Sequence, residues 1–201
     1  MTIGVELIDG GAHAVAVDGE GRVSKRATEQ GGDLVVAALG AVAAVSAAGS
    51  GAAIAVFVAH SPDAPAAAAA LRTLTGRDGA PRATPRSSGI AAAIAEAWVG
   101  AARGRKDVVY FSSADHAIAG VLRAGVPVHG ANGRAASVAW LSLNPVERED
   151  YRKAGCLEAE VAAAGIVRRL IWRIKAGDRS RVQDAVAGDL AAVSLEHVLG
   201  A

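Results

Sequence analysis

Between Ile3 and Thr28 the sequence alternates apolar and polar residues and is interrupted only by glycine-rich breaks, the pattern of half-buried strands joined by tight turns. It predicts three antiparallel strands, Ile3–Asp9, His13–Asp18 and Arg22–Thr28, with turns at Gly10-Gly11 and Gly19-Glu20-Gly21. A second segment restarts the rhythm with strands Asp107–Ser112, Ala117–Arg123 and Val126–His129, turning at Ala114-Asp115-His116 and Ala124-Gly125. HAVAVDGEGRV from His13 and HAIAGVLRAGV from His116 share spacing and composition, so the two segments read as a weak internal repeat. Each is followed by helix-forming sequence. After the first come a helix Asp33–Ala48 stopped by Ser50-Gly51, a buried strand Ala52–Val58, and a helix Ala64–Leu74 started by Ser61-Pro62-Asp63. A Pro/Arg/Gly-rich connection, Gly76–Ser88, then leads to a helix Ile90–Arg103 ended by Gly104. After the second come a loop Gly130–Gly133, a strand Ser137–Leu143, a long helix Gly155–Lys175 and shorter helices Ser180–Val186 and Ser194–Leu199. The expectation is a duplicated α/β architecture, with one domain over residues 1–104 and a second over 105–201.

Composition narrows the function classes. Apolar residues make up 52% of the 201, enough for a sizeable core, but aromatics only 3%, so that core must be built from Ala, Val, Leu and Ile. The 21 basic and 20 acidic residues leave a formal charge of +1, too balanced for the basic footprint of a nucleic-acid binder, and no DNA or RNA partner is expected. Cys156 is the sole cysteine, which excludes intrachain disulfides and fits a reducing cytoplasm. MTIGVELIDGG lacks the pattern of a secretory signal, and the Ala-dominated runs Val35–Ala48 and Ala64–Leu71 fall short of the roughly 20 residues of a membrane span. A soluble cytoplasmic protein without membrane contact is expected.

Five segments, in order, resemble the ROK family of sugar kinases and related repressors. GVELIDGGAHAVAVDGEGRV is similar to the family's G-[IV]-D-I-G-G-T strand and hairpin, and IAAAIAEAWVGAARGRKDVVYF to the helix and strand after its Asn-Asp catalytic pair. GVLRAGVPVHGANGRAA resembles its G-A-x-G-x-A-G segment, GCLEAEVA its G-C-L-E end of a zinc loop, and GDLAAVSLEHVLGA the segment before a final domain-closing helix. The resemblance implies a ribonuclease-H-like, actin-like fold of two duplicated α/β domains around a nucleotide cleft. The second domain is expected to be truncated, and the stretch between Val58 and Ser87 is short for the family's sugar-binding lobe.

The departures fall on the chemistry. The family's Asn-Asp pair lies over Ser87-Ser88, and a serine is no general base near neutral pH. Its G-T-G-I-G-G-G phosphate run lies over Ala114–Gly120, where only Gly120 remains and Asp115 brings a charge that repels phosphate. Its A-G-E-x-G-H lies over Ala135–Trp140, replacing a sugar-binding Glu and a zinc-binding His, and of the zinc cysteines only Cys156 survives. No cofactor and no metal is therefore expected, with Trp140 filling the vacated volume.

These residues leave a short set of candidates. Asp9, His13, Asp115 and His116, with Glu6 nearby, are placed by the hairpin repeat and are the candidates for a rewired acid–base or metal site. Against that stands the commoner use of His and Asp as turn-capping or solvated groups. Glu158, the Glu of G-C-L-E near a helix start, is read first as serving the helix dipole and, as the alternative that the resemblance implies, as a ligand contact; Asn132, in G-A-N-G, is a further ligand-binding candidate. Cys156 at a helix start is either a thiol with lowered pKa or a relic of the metal loop, and Arg168, Arg169 and Arg173 are either a solvated face or a site for an anionic partner. The helix from Leu157 to Ile174 spreads its apolar residues beyond one stripe, and the shortened second domain is expected to uncover apolar surface, so a two-fold homodimer or another partner protein is expected. The leading functional expectation is a ROK-like protein that has lost sugar kinase catalysis and acts as a binding, scaffold or regulatory module, possessing an unknown small-molecule ligand or partner. The alternatives are an enzyme using the Asp/His set and a weakly active sugar kinase. A repressor is disfavoured because no helix-turn-helix precedes Ile3.

Overall fold

The computed structural model describes residues 1–46, 55–60, 64–75, 83–143 and 156–201. The first alternating segment forms the expected antiparallel meander, β1 (Thr2–Ile8), β2 (Gly11–Val17) and β3 (Val23–Gln30). Ile3, Val5 and Leu7 of β1 and Ala12, Ala14 and Ala16 of β2 are all buried, as a period of two requires for one covered face. Gly10 turns the chain between β1 and β2 at φ +74°, a conformation that favours glycine. At the next turn the Asp18 carboxylate accepts the Arg22 and Glu20 N–H groups at 2.9 and 2.8 Å. The Arg22 hydrogen bond, foremost, holds the Asp18 carboxyl below the usual carboxylate range. A lowered folded-state value means that this contribution to the turn is present above the unfolded pKa and is lost as pH falls through the folded one. An NMR titration should accordingly place the Asp18 midpoint below that of an ordinary aspartate, and Asp18→Asn should remove this acid-side loss. An ordinary midpoint would contradict the turn geometry.

Helix α1 (Leu34–Val45) begins at Asp33, whose side chain caps the Val35 and Val36 N–H groups. Its Val35, Ala37, Ala38, Ala41 and Val45 pack with α2 (Pro65–Thr75), through Ala67, Ala70, Leu71 and Leu74, onto the buried face of the sheet. The short side chains let helices approach the strands closely, so a core built largely of Ala, Val, Leu and Ile packs. Strand β4 (Ala55–His60) pairs parallel with β1, and β5 (Ala83–Ser87) parallel with β4, in the order β3-β2-β1-β4-β5.

Several expected elements change. Residues 83–87, expected within a linker, are β5: Pro85 reads as a turn signal locally, but an edge strand tolerates a residue without an N–H. The predicted stop at Ser50-Gly51, the helix start at Ser61–Asp63 and the first part of the predicted linker lie outside the described residues. Helix α3 (Ser88–Trp98) starts two residues earlier than expected because Ser87 caps the Ile90 N–H. It also ends earlier, where the Glu96 carboxylate takes the Ala101 N–H and diverts the chain into turns.

The second meander forms a three-stranded sheet, β6 (Val108–Ser113), β7 (Ala117–Arg123) and β8 (Val126–Pro127), in that order. Strand β8 is only two residues long. The expected strand Ser137–Leu143 is instead a series of turns with one bridge, Ser142 to Cys156. The expected long helix is broken at Ala162, which is extended, into α4 (Leu157–Val161) and α5 (Ala163–Lys175). The break is tertiary in origin. The Ala163 N–H bonds to the Ala114 carbonyl, the Ser113 hydroxyl donates to the Val161 carbonyl, and Gly165 packs so close to the Ala159 carbonyl that a Cβ would overlap it. Helix α6 (Val182–Ala185), a 3-10 turn at Leu190–Ala192 and α7 (Leu195–Leu199) follow, the last with a Ser194/His197 capping box.

Contacts group the chain into two units, Met1–Phe111 with Ala119–Ser137, and Ser112–Ile118 with Val138–Ala201. In the second, Val182, Val186 and Val193 form a small core against Val167, Leu170 and Ile171 of α5. Those α5 residues, whose spread suggested contact on two sides, thus have a covering within the same chain. Among the described residues, no helix is long and apolar enough to cross a membrane.

Candidate functional site

In an open sheet whose chain order reverses about a central strand, a ligand crevice is expected near the carboxyl ends of the parallel strands at that reversal. Here the reversal lies between β1 and β4. A cavity of about 330 Å³ opens beside them in the first unit, on the face opposite the α1/α2 core, lined by residues of β1, β2, β4, β5 and α3. The strand register explains its polar groups: Thr28 pairs with His13, His13 with Glu6, Glu6 with Ala59 and Ala59 with Arg86. One transverse row therefore carries an imidazole, a carboxylate, a methyl and a guanidinium across the sheet, because directly paired residues share a face. Gly4 and Val15 continue the floor, and Ala91, Ala92 and Ala95 of α3 form the opposite wall.

The side chains are held from several directions. His13 Nδ1 lies 2.8 Å from Thr28 Oγ1, and Arg86 Nη1 donates to the Pro85 carbonyl at 2.7 Å. Ser88 is buried in the first turn of α3 and lines the cavity, while Ser87 Oγ accepts the Ile90 N–H at 3.3 Å. A small apolar hollow with a carboxylate, an imidazole and a guanidinium on one row suits the binding and orienting of a small polar molecule. Neither serine supplies a proton acceptor like the carboxylate of a general base.

The other candidates are distributed differently. Glu6 and His13 come together in the cavity, whereas Asp9 sits in the exposed β1–β2 turn and is not part of its lining. Asn132 lies exposed in the turn between Gly130 and Gly133. In the second unit Asp115 is exposed at the hairpin turn, and His116 Nδ1 is 3.5 Å from Glu158 Oε2. That same oxygen accepts the Ala117 N–H at 3.0 Å, and Glu158 is only 8% exposed. Glu158 therefore fastens the hairpin turn to α4, a structural task that its place in the G-C-L-E segment does not announce.

Arg86 was missed because reading its segment as a linker hid the strand that carries it; its position directly before Ser87-Ser88 was the available signal. Gly120, the one glycine left in the phosphate-run segment, has a packing reason: a Cβ on it would overlap the Gly89 carbonyl, and a Cβ on Gly89 would overlap that of Ala119. The arginine run is engaged internally, Arg169 with the buried Glu160 and Arg173 with Asp178. Trp140 is 52% exposed and does not fill a vacated volume. Together with the single buried thiol of Cys156 at the start of α4, it does not fit the zinc site that the resemblance implies.

A scan of the sequence against family models finds no match, and no curated protein matches it in sequence. Solved structures do match. A ROK family glucokinase from Streptomyces griseus, in complex with glucose and AMPPNP, is 20% identical, covering 98% of this chain and 69% of its own, with a TM-score of 0.74. A ROK hexokinase from Thermus thermophilus is 24% identical over 94% of this chain and 69% of its own, with a TM-score of 0.63. A ROK family transcriptional regulator, a homologue of the E. coli MLC protein, is 17% identical over 100% of this chain and 55% of its own, with a TM-score of 0.71. Likenesses at this identity speak to architecture. Over nearly its whole length this chain has the mixed α/β fold of the ROK proteins, in a form shorter than those structures.

Proposed function

We propose that this chain is a ROK-fold protein that does not transfer phosphate and works as a binding or regulatory module, taking a small polar ligand in the cavity between β1, β2, β4 and α3. The observation that supports this most directly is the start of α3, where Ser87 is occupied as a helix cap and Ser88 is buried at the position that the resemblance gives to a catalytic carboxylate. The segment that should cradle phosphate adds a second argument: of its glycines only Gly120 remains, and that one is explained by its contact with Gly89. The same reading takes the protein as cytoplasmic, without a nucleic-acid partner, and as a two-fold homodimer.

A coupled assay for ADP release with glucose or N-acetylmannosamine should show no rate above that of Ser88→Ala. Sugar-dependent ADP release that Ser88→Ala abolishes would overturn the loss of phosphotransfer. Native mass spectrometry of protein purified from its own host is the binding arm. A bound small molecule retained by the natural protein and lost from a Glu6→Ala/Arg86→Ala variant is expected. Equal retention by that variant would move the site elsewhere.

A further inference from the structure

The lining of the cavity in the first unit divides into a charged row and an apolar hollow. Glu6 and Arg86 stand on one row with the Ala59 methyl between them, two strand spacings apart, roughly 10 Å at their Cα atoms. Arg86 spends one donor on the Pro85 carbonyl. Among the described residues, Glu6 and Arg86 form no ion pair with each other or with a third group. Two opposite charges thus flank a methyl group, each with capacity for a further partner. Ser88, 7% exposed, lines the same cavity, and its hydroxyl has no partner among the described residues. One pleat along the strands lies the hollow, with Gly4 paired to Val15 on the floor and Ala91, Ala92 and Ala95 as the wall. A Cβ on Gly4 would meet Val15 Cγ2 at 3.5 Å, an ordinary contact, and Gly4 is not in the left-handed region, so neither packing nor backbone requires a glycine there. A glycine inside a strand weakens it, and what this one leaves is room for a ligand to approach the sheet.

We propose that this cavity takes an α-amino acid with an apolar side chain. Its ammonium pairs with Glu6, its carboxylate with Arg86 and the Ser88 hydroxyl, and its side chain lies in the hollow over Gly4. A guanidinium presents paired donors that match a carboxylate, and the first turn of α3, which carries Ser88, favours negative charge at the same end. Opposite charges carried close together on one small molecule are what a carboxylate and a guanidinium on one short row select. A hexose fits this lining poorly, because hydroxyls set against the methyl groups of the hollow would lose water without gaining partners. The inference names the ligand class and rests on the reading of this cavity as the binding site. Glu6 is exposed and Arg86 half-buried, so solvent screens both pairs and the expected dissociation constant is on the order of 0.1–1 mM.

Isothermal titration calorimetry of the full chain with L-leucine tests the assignment. Saturable binding is expected. Leucine amide, which lacks the carboxylate, isocaproate, which lacks the ammonium, and glucose should each bind at least about tenfold more weakly. Glu6→Gln and Arg86→Ala should each weaken leucine by at least about tenfold. Gly4→Val, which fills the hollow with a strand-favouring side chain, should keep the natural circular dichroism and thermal midpoint yet lose leucine. No leucine binding up to about 10 mM, or equal binding of isocaproate or leucine amide, would overturn the amino-acid class. Leucine binding that survives all three variants would place it outside this cavity and overturn the assignment as well. The cavity itself is judged separately by the molecule retained from the host. If leucine fails but Glu6→Ala/Arg86→Ala loses that molecule, the class falls and the cavity stands; if the variant retains it, both fall.

Discussion

Replacing Gly89 or Gly120 by alanine is expected to destabilise the first unit by about 3 kcal/mol. Each glycine lies where a Cβ would overlap a backbone carbonyl of the facing segment, that of Ala119 for Gly89 and that of Gly89 for Gly120. A flexible side chain would swing away, but a carbonyl in a strand or at a helix start moves only with its element. The neighbouring Ile90 and Ala93 are fully buried and leave little slack. Thermal unfolding followed by circular dichroism should show the midpoint falling by about 6–12 °C for either variant. The double variant should lose less than the sum, since one methyl already forces the gap that the second needs. Midpoints within a degree or two of the natural protein would show that α3 and β7 are not in backbone contact.

Glu158→Ala is expected to cost about 2–3 kcal/mol, and Glu158→Gln about 1 kcal/mol or less. The carboxylate is buried and its Oε2 is the acceptor for the Ala117 N–H, itself buried. Alanine leaves that donor without an acceptor in a place that water reaches poorly, whereas the glutamine carbonyl still accepts it. Hydrogen exchange at the Ala117 amide is the local reading. Protection should fall strongly in Glu158→Ala and remain in Glu158→Gln. Equal protection in all three proteins would remove the structural role assigned to this residue and restore ligand binding as its best explanation.

The elements recovered from sequence are those with a strong local signal. The first meander has both a period of two and glycine turns, and α1 has its Asp33 cap, so their conformations follow from neighbours in the chain. The resemblance to ROK proteins holds at the level of fold. The elements that were misread depend on distant partners. Strand β5 exists because β4 offers it a parallel edge, and the helix expected from Gly155 breaks at Ala162 because hairpin residues Ser113 and Ala114 supply competing hydrogen bonds. For the site, His13 and Glu6 were legible from the hairpin, while Arg86 became visible only once the register placed it on their row.

By itself the sequence determined the period of the strands, the composition of an aliphatic core and the absence of a carboxylate at Ser87-Ser88, because these depend on residue type and spacing along the chain. Only the tertiary structure decided which polar groups share a cavity, why Gly120 is a glycine, and that Glu158 is buried as a fastening for a hairpin. The physical reason is that strand register, close backbone approach and burial are relations between segments far apart in sequence. Each is settled by the free energy of packing the segments together, to which local propensity contributes only a small part.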